Sequence, residues 1–547
     1  MRDGRATTDR YPTPRYRDAV ILALAASAAL ALYLSRTSFH LYPREDTIEA
    51  VVAAEALAAG RGHTTRVTSP SVLTFLDERD RAEPPWPNLL RSPLPCMMIA
   101  ALARFSSQPI AVALSSGVFF ILSVPLIYLI ADRLGGRAAG VFAAITYILS
   151  RSGLWFGVTG LSESSTIFAL AGIVYCMMLP AGVRTSLVAG GFAAIGYLGR
   201  STFTIWAVPI IVYLAWHSRR DGVGRVLLNV TAFGIPLAIS VLWWGTTIGA
   251  LAGDFGASGQ PDIVVRVDTD LYPGRSPALT LEHWGVREFI IAHPMEMARK
   301  AGRQIHSSWP WLINIGAMPL LVAFFFVEAF IVLARGKRVQ IHWLIYALLL
   351  LQMLLLAIGS RGHGGVGPNR YLDPFGPIAA AIGAAFAVEL LRERGLPMGR
   401  AIPPMVLVVL LTALPILFDM AVGPFHSDRL RRQQEIGAEL ERRADPEDVL
   451  ASTSAAADAW TSGLHAIYLP MTPVDLQRMR RIVEVDWIRV GKAPTTLKER
   501  TEAWESVIDG HREPAGFRLV HRFEDGSVLL KRVEDDDRRG PRQIFLR

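Results

Sequence analysis

Long blocks of apolar residues, separated by short polar connections, occupy most of the chain before residue 422. Each block approaches the roughly 20 residues that a helix needs to cross a hydrocarbon core of about 30 Å. A backbone inside lipid must satisfy its own hydrogen bonds, so we expect these blocks to be helices. The pattern predicts about eleven transmembrane helices, at residues 19–36, 109–132, 138–151, 161–179, 185–198, 203–217, 226–247, 311–334, 341–359, 373–391 and 402–421.

The connection after the first block carries helices of its own. Asp46–Ala59 is rich in helix-forming residues and is followed by Gly60 and Gly62. A second apolar helix is predicted at Leu94–Phe105, where Ser92-Pro93 precedes it. It is too short to span, and we expect it to lie along the membrane surface or to re-enter from outside.

The segment after residue 421 has a different pattern. A charged helix is predicted at Asp428–Arg443, and short mixed segments follow that alternate between helix-like and strand-like character. The sequence therefore predicts a mainly α protein with two domains. The first is a polytopic helical membrane domain over 1–421, and the second is a small soluble α/β domain over 422–547.

Composition and charge fix the expected orientation. The 547 residues are 51% hydrophobic and carry a formal net charge of +8, with a mean hydropathy of +0.32. The basic residues lie mainly in short loops between apolar blocks and form no lysine-rich run, so nucleic acid is not an expected partner. By the positive-inside rule, the arginine-rich loops are cytoplasmic. The N-terminus is then cytoplasmic, and an odd number of spans places the C-terminus outside the inner (plasma) membrane.

This topology places the long connections 37–108 and 248–310, together with 360–372, on the outer face. The cytoplasmic loops are too short to hold a nucleotide-binding domain, and the sequence contains no G-x-x-x-x-G-K-[ST] motif. Any activity is therefore expected to face outward and to use a substrate delivered by the lipid bilayer.

Three acidic residues are candidates for catalysis. Glu45 and Asp46 lie shortly after the first span, where a carboxylate could take a proton from an acceptor hydroxyl. The alternative is an ordinary helix N-terminus, at which acidic side chains are favourable. Glu163 stands at the predicted outer mouth of the fourth span, where an acid is costly unless it is paired or hydrated. Its alternative is a structural role in a helix that Ser162 caps.

Basic residues on the same predicted face are candidates for binding a phosphate. Arg200 ends the fifth span, and Arg370-Tyr371 lies in the Gly/Pro-rich segment 359–377. Arginine suits bidentate binding of a phosphate, although each could instead reach along the helix to the interface. Lys300 and Arg303 could contribute to a phosphate site or belong to a solvated amphipathic helix.

Metal-binding patterns are weak in this sequence. It has no HExxH or CxxC motif, and Asp268 and Asp270 are interpreted as loop residues. No metal ligands or cofactor are predicted, and a divalent cation is left open.

Several short segments follow one another in a characteristic order. They are Asp46 with Ala54, Leu57, Gly60 and Gly62; Arg91-Ser92-Pro93-Leu94-Pro95; Gly160-Leu161-Ser162-Glu163; Gly199-Arg200; Asn369-Arg370-Tyr371-Leu372 with Pro374; and Tyr468-Leu469-Pro470-Met471-Thr472. Their order and position resemble the GT-C membrane glycosyltransferases that use polyprenyl-phosphate sugars. The branch most similar contains protein O-mannosyltransferases and lipid A aminoarabinose transferases.

This resemblance implies a GT-C-like fold and an inverting transfer of a hexosyl or pentosyl sugar. The donor would be a polyprenyl-phosphate-linked sugar, and the acceptor a lipid, glycan or protein hydroxyl of the cell envelope. The acidic pair stands in the order Glu45-Asp46, the reverse of the usual one, so either residue could be the base.

A transporter or flippase for a lipid-linked or polar solute is the main alternative. Such proteins often contain inverted repeats and place ionisable residues near the bilayer midplane. This sequence shows no convincing internal repeat, and its candidate residues gather at one predicted face. These features favour the enzyme.

Overall fold

The computed structural model describes residues 16–37, 45–255, 260–273, 276–335, 340–359, 370–395, 397–422, 427–491 and 498–533. Helices predominate in these ranges. The helices in the first half are α1 Tyr16–Thr37, α2 Glu45–Ala58, α3 Pro70–Asp77, α4 Pro93–Leu102, α5 Gln108–Gly135, α6 Arg137–Ile148, α7 Arg151–Val158, α8 Glu163–Met177, α9 Val183–Gly199, α10 Phe203–Ser218 and α11 Val223–Ala252. The later helices are α12 Gln260–Arg266, α13 Ser276–Leu279, α14 Val286–Ala292, α15 Pro294–Ile313, α16 Pro319–Arg335, α17 Gln340–Ile358, α18 Gly376–Glu393, α19 Met398–Val422, α20 Ser427–Arg443, α21 Ala455–Ser462, α22 Pro473–Met479 and α23 Lys498–Ile508.

A helix coincides with each of the eleven predicted spans. Among the described helices, six are long and apolar enough to cross a membrane unaided: α1, α5, α11, α17, α18 and α19. The pair α6 and α7 also qualifies if it is counted as one span bent by 57°. The mainly α architecture that the sequence predicted is confirmed.

Two boundaries differ from the prediction for identifiable reasons. The short third span continues into α7, because the Ser150 hydroxyl accepts a hydrogen bond from the Gly153 N–H and restarts the helix. The span predicted at 311–334 is divided instead between α15 and α16. Gly316 has a φ of 68° in that break, and Pro319 begins α16.

Small residues allow the bundle helices to approach closely. A Cβ on Gly190 of α9 would collide with the Phe233 carbonyl of α11, and one on Gly383 of α18 would collide with the Leu321 carbonyl of α16. Such contacts are typical of helix packing in membranes, where apolar burial does not drive association.

The tail forms the expected sheet and recruits a strand from the first connection. The strands are β1 Thr64–Thr65, β2 Val67–Thr68, β3 Trp86–Pro87, β4 Val449–Ser452, β5 His465–Tyr468, β6 Trp487–Val490, β7 Phe517–Arg522 and β8 Val528–Arg532. Six of them form one sheet in the order β2-β5-β4-β6-β8-β7. The pairs β2–β5, β5–β4 and β4–β6 are parallel, and β8 is antiparallel to β6 and β7.

Strand β2 comes from the connection between α1 and α5, with Val67 opposite Ala466 and Thr68 opposite Ile467. A shared apolar core joins the same regions, since Leu73, Ile248 and Ile488 are all fully buried in one cluster. The tail is therefore packed against the first connection and the end of α11. Its strand β5 is the element that reaches the candidate site.

Candidate active site

The first turn of α2 places two carboxylates on one helix face. Asp46 and Glu49 are three residues apart, so their side chains lie one above the other. Arg91 lies opposite both: its Nη2 donates to Asp46 Oδ1 at 2.6 Å, and its Nε donates to Glu49 Oε2 at 2.5 Å. Asp46 Oδ2 accepts a hydrogen bond from Arg370 Nη1.

The start of α8 supplies a third carboxylate to the same group. Glu163 is completely buried. Its Oε1 accepts hydrogen bonds from Arg370 Nε at 2.6 Å and from Arg200 Nη2 at 3.1 Å. Arg200 also donates to the Arg370 carbonyl at 3.4 Å, and its guanidinium lies 5.1 Å from the centre of the Tyr371 ring. Arg370 thus connects Asp46 with Glu163.

The tail completes the group through Tyr468, the last residue of β5. Its hydroxyl donates to Glu49 Oε1 at 2.5 Å. Burial, followed by the charges of Glu49 and Glu45, raises the pKa of Tyr468 well above its ordinary value, so the hydroxyl remains a donor. Glu45 is the first residue of α2 and is half-buried.

We call Glu49, Arg91, Asp46, Arg370, Glu163 and Arg200 the acid–arginine cluster, in the order in which they are linked. It contains three carboxylates and three guanidinium groups, so their formal charges cancel when all are ionised. Burial opposes ionisation of Arg91 and Arg370, but the neighbouring carboxylates raise the pKa of both side chains above the ordinary value. Buried charges require such pairing, because leaving one unpaired is very costly.

Exposure differs along the cluster. The Asp46, Arg91 and Arg370 side chains are 21%, 20% and 19% exposed, whereas Glu163 is 0% exposed. Glu163 Oε2 has no hydrogen-bond partner among the described residues. Asp46 is therefore accessible from outside the cluster, whereas Glu163 is enclosed and contacts two of its arginines.

Lys300 and Arg303 are positioned by a different part of the chain. Lys300 Nζ donates to the Val264 and Val265 carbonyls at 2.9 and 2.8 Å. Burial lowers its pKa to about 7. Arg303 pairs with Asp270 at 2.7 Å and donates to the Asp268 carbonyl at 3.1 Å. These contacts tie both residues to the segment 264–270, and a phosphate role for them stays a prediction.

The sequence predicted Asp46, Glu163, Arg200 and Arg370 as site residues, and the structure places these four side chains together. It did not select Glu49, Arg91 or Tyr468 as site residues. The three-residue spacing from Asp46 was a usable signal for Glu49. Arg91 and Tyr468 lie in segments noted for their resemblance, but nothing local indicates that either would reach α2.

The described side chains of the cluster show no recognisable ligand set for a divalent cation. Among the residues that the structure describes, no group of three or more His, Cys, Asp or Glu side chains could hold one. The carboxylates of the cluster face arginine N–H groups, and Asp270 is paired with Arg303.

Comparison with known proteins places the fold. No family model matches the sequence, and no curated protein matches it significantly. Among solved structures, ArnT from Cupriavidus metallidurans bound to undecaprenyl phosphate aligns over 96% of this chain and 99% of its own, with a TM-score of 0.56 and 11% identity. ArnT in the apo state aligns over 94% and 98%, with a TM-score of 0.58 and 12% identity.

A more distant likeness extends to an oligosaccharyltransferase from Archaeoglobus fulgidus, solved with Zn and sulfate. It covers 88% of this chain and 70% of that one, with a TM-score of 0.53 and 10% identity. At these identities the comparisons show the fold. The chain is an integral membrane protein with the GT-C-like fold that the sequence predicted.

Proposed function

We propose that this protein is an inverting glycosyltransferase of the outer face of the inner membrane. It moves a sugar from a polyprenyl-phosphate donor to a hydroxyl of an envelope lipid, glycan or protein. The observation that carries the proposal is the acid–arginine cluster, which sets a partly exposed carboxylate beside two arginines in an ArnT-like fold. ArnT was solved with undecaprenyl phosphate bound, which supports a donor of the same chemical class.

Arg200 and Arg370 are proposed to bind the donor phosphate. Both present planar N–H groups, which match the oxygens of a phosphate better than a lysine ammonium does. Glu163 lies behind them and accepts from both. Tyr371 lies beside the Arg200 guanidinium and restricts its orientation.

Asp46 is proposed as the general base. It takes the proton of the acceptor hydroxyl while that oxygen attacks the anomeric carbon, and the bond from that carbon to the phosphate oxygen breaks. The phosphate leaves with the electron pair, and Arg200 and Arg370 stabilise its charge. Attack from the face opposite to the phosphate inverts the anomeric centre.

Donor binding and base strength are coupled in this arrangement. Asp46 has cationic partners on both oxygens, Arg91 on Oδ1 and Arg370 on Oδ2. A donor phosphate that draws N–H groups of Arg370 away from Asp46 leaves the carboxylate with one fewer cation. Its affinity for a proton then rises, because a neighbouring opposite charge favours the ionised form.

The orientation and domain limits complete the proposal. The N-terminus is cytoplasmic and the tail extracytoplasmic, with a catalytic membrane domain over 1–421 and a tail domain over 422–547. Strand β2 and Tyr468 link the two, so the tail is proposed to support the site rather than to act separately. Lys300 and Arg303 remain candidates for contacts with the donor farther from the reacting carbon.

The test is release of polyprenyl phosphate from a labelled polyprenyl-phosphate sugar by the purified full-length protein with envelope extract as acceptor. Asp46→Asn is expected to abolish transfer with unchanged expression and folding, since a general base contributes about 10²–10⁴-fold. Asp77→Asn is the matched control, because Asp77 is an exposed aspartate of the same connection. Wild-type turnover in Asp46→Asn would remove Asp46 as the base and direct attention to Glu45 or Glu163. No release by the wild-type protein, with transport of the intact lipid, would support the transporter.

A further inference from the structure

A cavity of about 830 Å³ lies at the end of the bundle away from the acid–arginine cluster. Arg370 of the cluster precedes α18, whereas Arg392 at the cavity is in the last turn of that helix. Eighteen helical residues span roughly 27 Å at about 1.5 Å per residue. The cavity is therefore a separate site, in the leaflet that the arginine-rich loops predict to be cytoplasmic.

The wall of the cavity is apolar and open between two helices. Val141 and Ile145 line it from α6, and Val406 and Leu410 line it from α19. The α19 side chains stay exposed, with Val406 at 47% and Leu410 at 54%. In a bilayer, an apolar wall of this kind contacts acyl chains. A small polar ligand would leave this apolar wall without apolar atoms to pack against.

The rim of the cavity is charged. Arg137 forms a two-point contact with Asp18, at 2.7 and 3.0 Å, so its charge is already balanced. Asp132 is 5% exposed and lies within electrostatic range of Arg137. Arg392 has no hydrogen bond or ion pair with any residue in the described part of the chain. It is the rim cation left to meet an anion.

Backbone geometry brings the Arg392 guanidinium close to the start of α6. Its Nη2 and Nη1 lie 3.4 and 3.9 Å from the point that a Cβ on Gly136 would occupy, and Gly136 has a φ of 83°. A glycine is favoured here for this backbone conformation, and the guanidinium lies in van der Waals range of it. Arg392 and Gly136 both line the cavity, and the Arg392 side chain is exposed there.

We infer that this cavity binds an anionic phospholipid of the cytoplasmic leaflet. The lipid phosphate pairs with Arg392, and an acyl chain lies along the groove between α6 and α19. Asp18 and Asp132 both act on Arg137, whereas Arg392 stands apart from them as an exposed cation above an apolar cleft between helices, an arrangement that can recognise an anionic head group on the cytoplasmic side. The apolar wall selects a lipid over a free phosphate ion, and the free rim cation selects an anionic head group over a zwitterionic one.

The experiment uses the full-length protein, delipidated in detergent and titrated with phosphatidylglycerol or phosphatidylcholine of the same acyl chains, with bound lipid counted by native mass spectrometry. Arg392→Gln removes the rim charge. Arg394→Gln is the matched control, because Arg394 is exposed at the same helix end but does not line the cavity. Val406→Trp fills the groove without touching the charges.

We expect phosphatidylglycerol to bind in preference to phosphatidylcholine. Arg392→Gln should weaken its binding about fivefold, the effect of one basic residue near an anionic lipid, and Arg394→Gln should leave it unchanged. Val406→Trp should reduce binding of both lipids. Equal binding of the two lipids, equal effects of the two arginine variants, or undiminished binding to Val406→Trp would each overturn the inference. A circular dichroism spectrum of each variant establishes that it is folded.

Discussion

Removal of the Tyr468 hydroxyl is expected to impair catalysis although the residue belongs to the tail. Tyr468→Phe deletes one hydrogen bond, 2.5 Å long, to Glu49 Oε1. Glu49 is only 7% exposed at its side chain, so water does not readily replace the lost donor. Glu49 then has Arg91 as its remaining cluster partner, and Arg91 is drawn toward Glu49 and away from Asp46.

The size of the effect follows from the charge on the acceptor. A hydrogen bond to a charged group is worth about 1.5–3 kcal/mol net, which corresponds to a factor of about 10–150. If the bond serves to hold Asp46 and Arg91 in their catalytic positions, most of this factor should appear in kcat. The KM for the donor should change little, because Arg200 and Arg370 keep their contacts with Glu163.

The assay is polyprenyl phosphate release at several donor concentrations, combined with a thermal unfolding curve. Tyr272→Phe is the matched control, since the Tyr272 hydroxyl donates to Glu282 outside the acid–arginine cluster. A double-mutant cycle with Glu49→Gln should give a coupling of about 1–3 kcal/mol in kcat/KM. Additive effects of Tyr468→Phe and Glu49→Gln, or full kcat in Tyr468→Phe, would refute a positioning role for Tyr468.

Three further outcomes follow from the same contacts. Glu163→Gln leaves the fully buried end of the cluster with an unbalanced charge, so it should lower turnover and also reduce the free energy of unfolding by about 3–5 kcal/mol, the cost of a broken buried pair. Asp46→Asn, at a side chain that is 21% exposed, should lower turnover with a smaller loss of stability in the same thermal unfolding assay. Arg370→Lys keeps the charge, but a lysine cannot contact Asp46 and Glu163 with separate nitrogens. The KM for the donor should therefore rise about tenfold or more. Arg394→Lys is the control, and an unchanged KM in Arg370→Lys would argue against a phosphate role. Burial lowers the pKa of His63 to about 4. Between about pH 6.5 and 4 the unfolded chain therefore binds a proton that the folded chain does not, and stability falls as the pH decreases through that range. His63→Phe should lose less melting temperature between pH 7 and pH 5 than the wild type, and equal losses would contradict this reasoning.

The helical fold was predictable because its signal is local. An apolar block of about 20 residues predicts a spanning helix whatever the rest of the chain contains. The structure has a helix at each predicted position. Helix α7 was missed because it has only eight residues and follows α6 with a short break. Its start depends on the Ser150 cap, a detail too small to outweigh the two glycines in its sequence.

The candidate site was predictable only in part, because its contacts join distant positions. The hydrogen bond between Arg370 and Asp46 links residues 324 positions apart, and that between Tyr468 and Glu49 links residues 419 apart. An arginine or acid beside a membrane span can be recognised as a candidate from the sequence alone, because placing a charge near the hydrocarbon costs free energy. Arg91 and Tyr468 stand in polar or mixed segments, where neither residue type is unusual, so only the fold reveals their partners.

The charge balance of the cluster joins parts of the chain that are far apart in the sequence. The α2 carboxylates come from the first connection, Glu163 and Arg200 from the bundle, and Arg370 from the segment before α18. Glu163 and Arg200 balance each other, whereas Asp46 and Glu49 exceed Arg91 by one negative charge, which Arg370 balances. The first connection or Arg370 would each bury an unpaired charge if it packed without the other. Strand β2 and the Tyr468 contact add the tail to the same arrangement. Formation of the cluster is therefore expected to depend on docking of the tail, which makes the proposed catalytic geometry a property of the assembled chain.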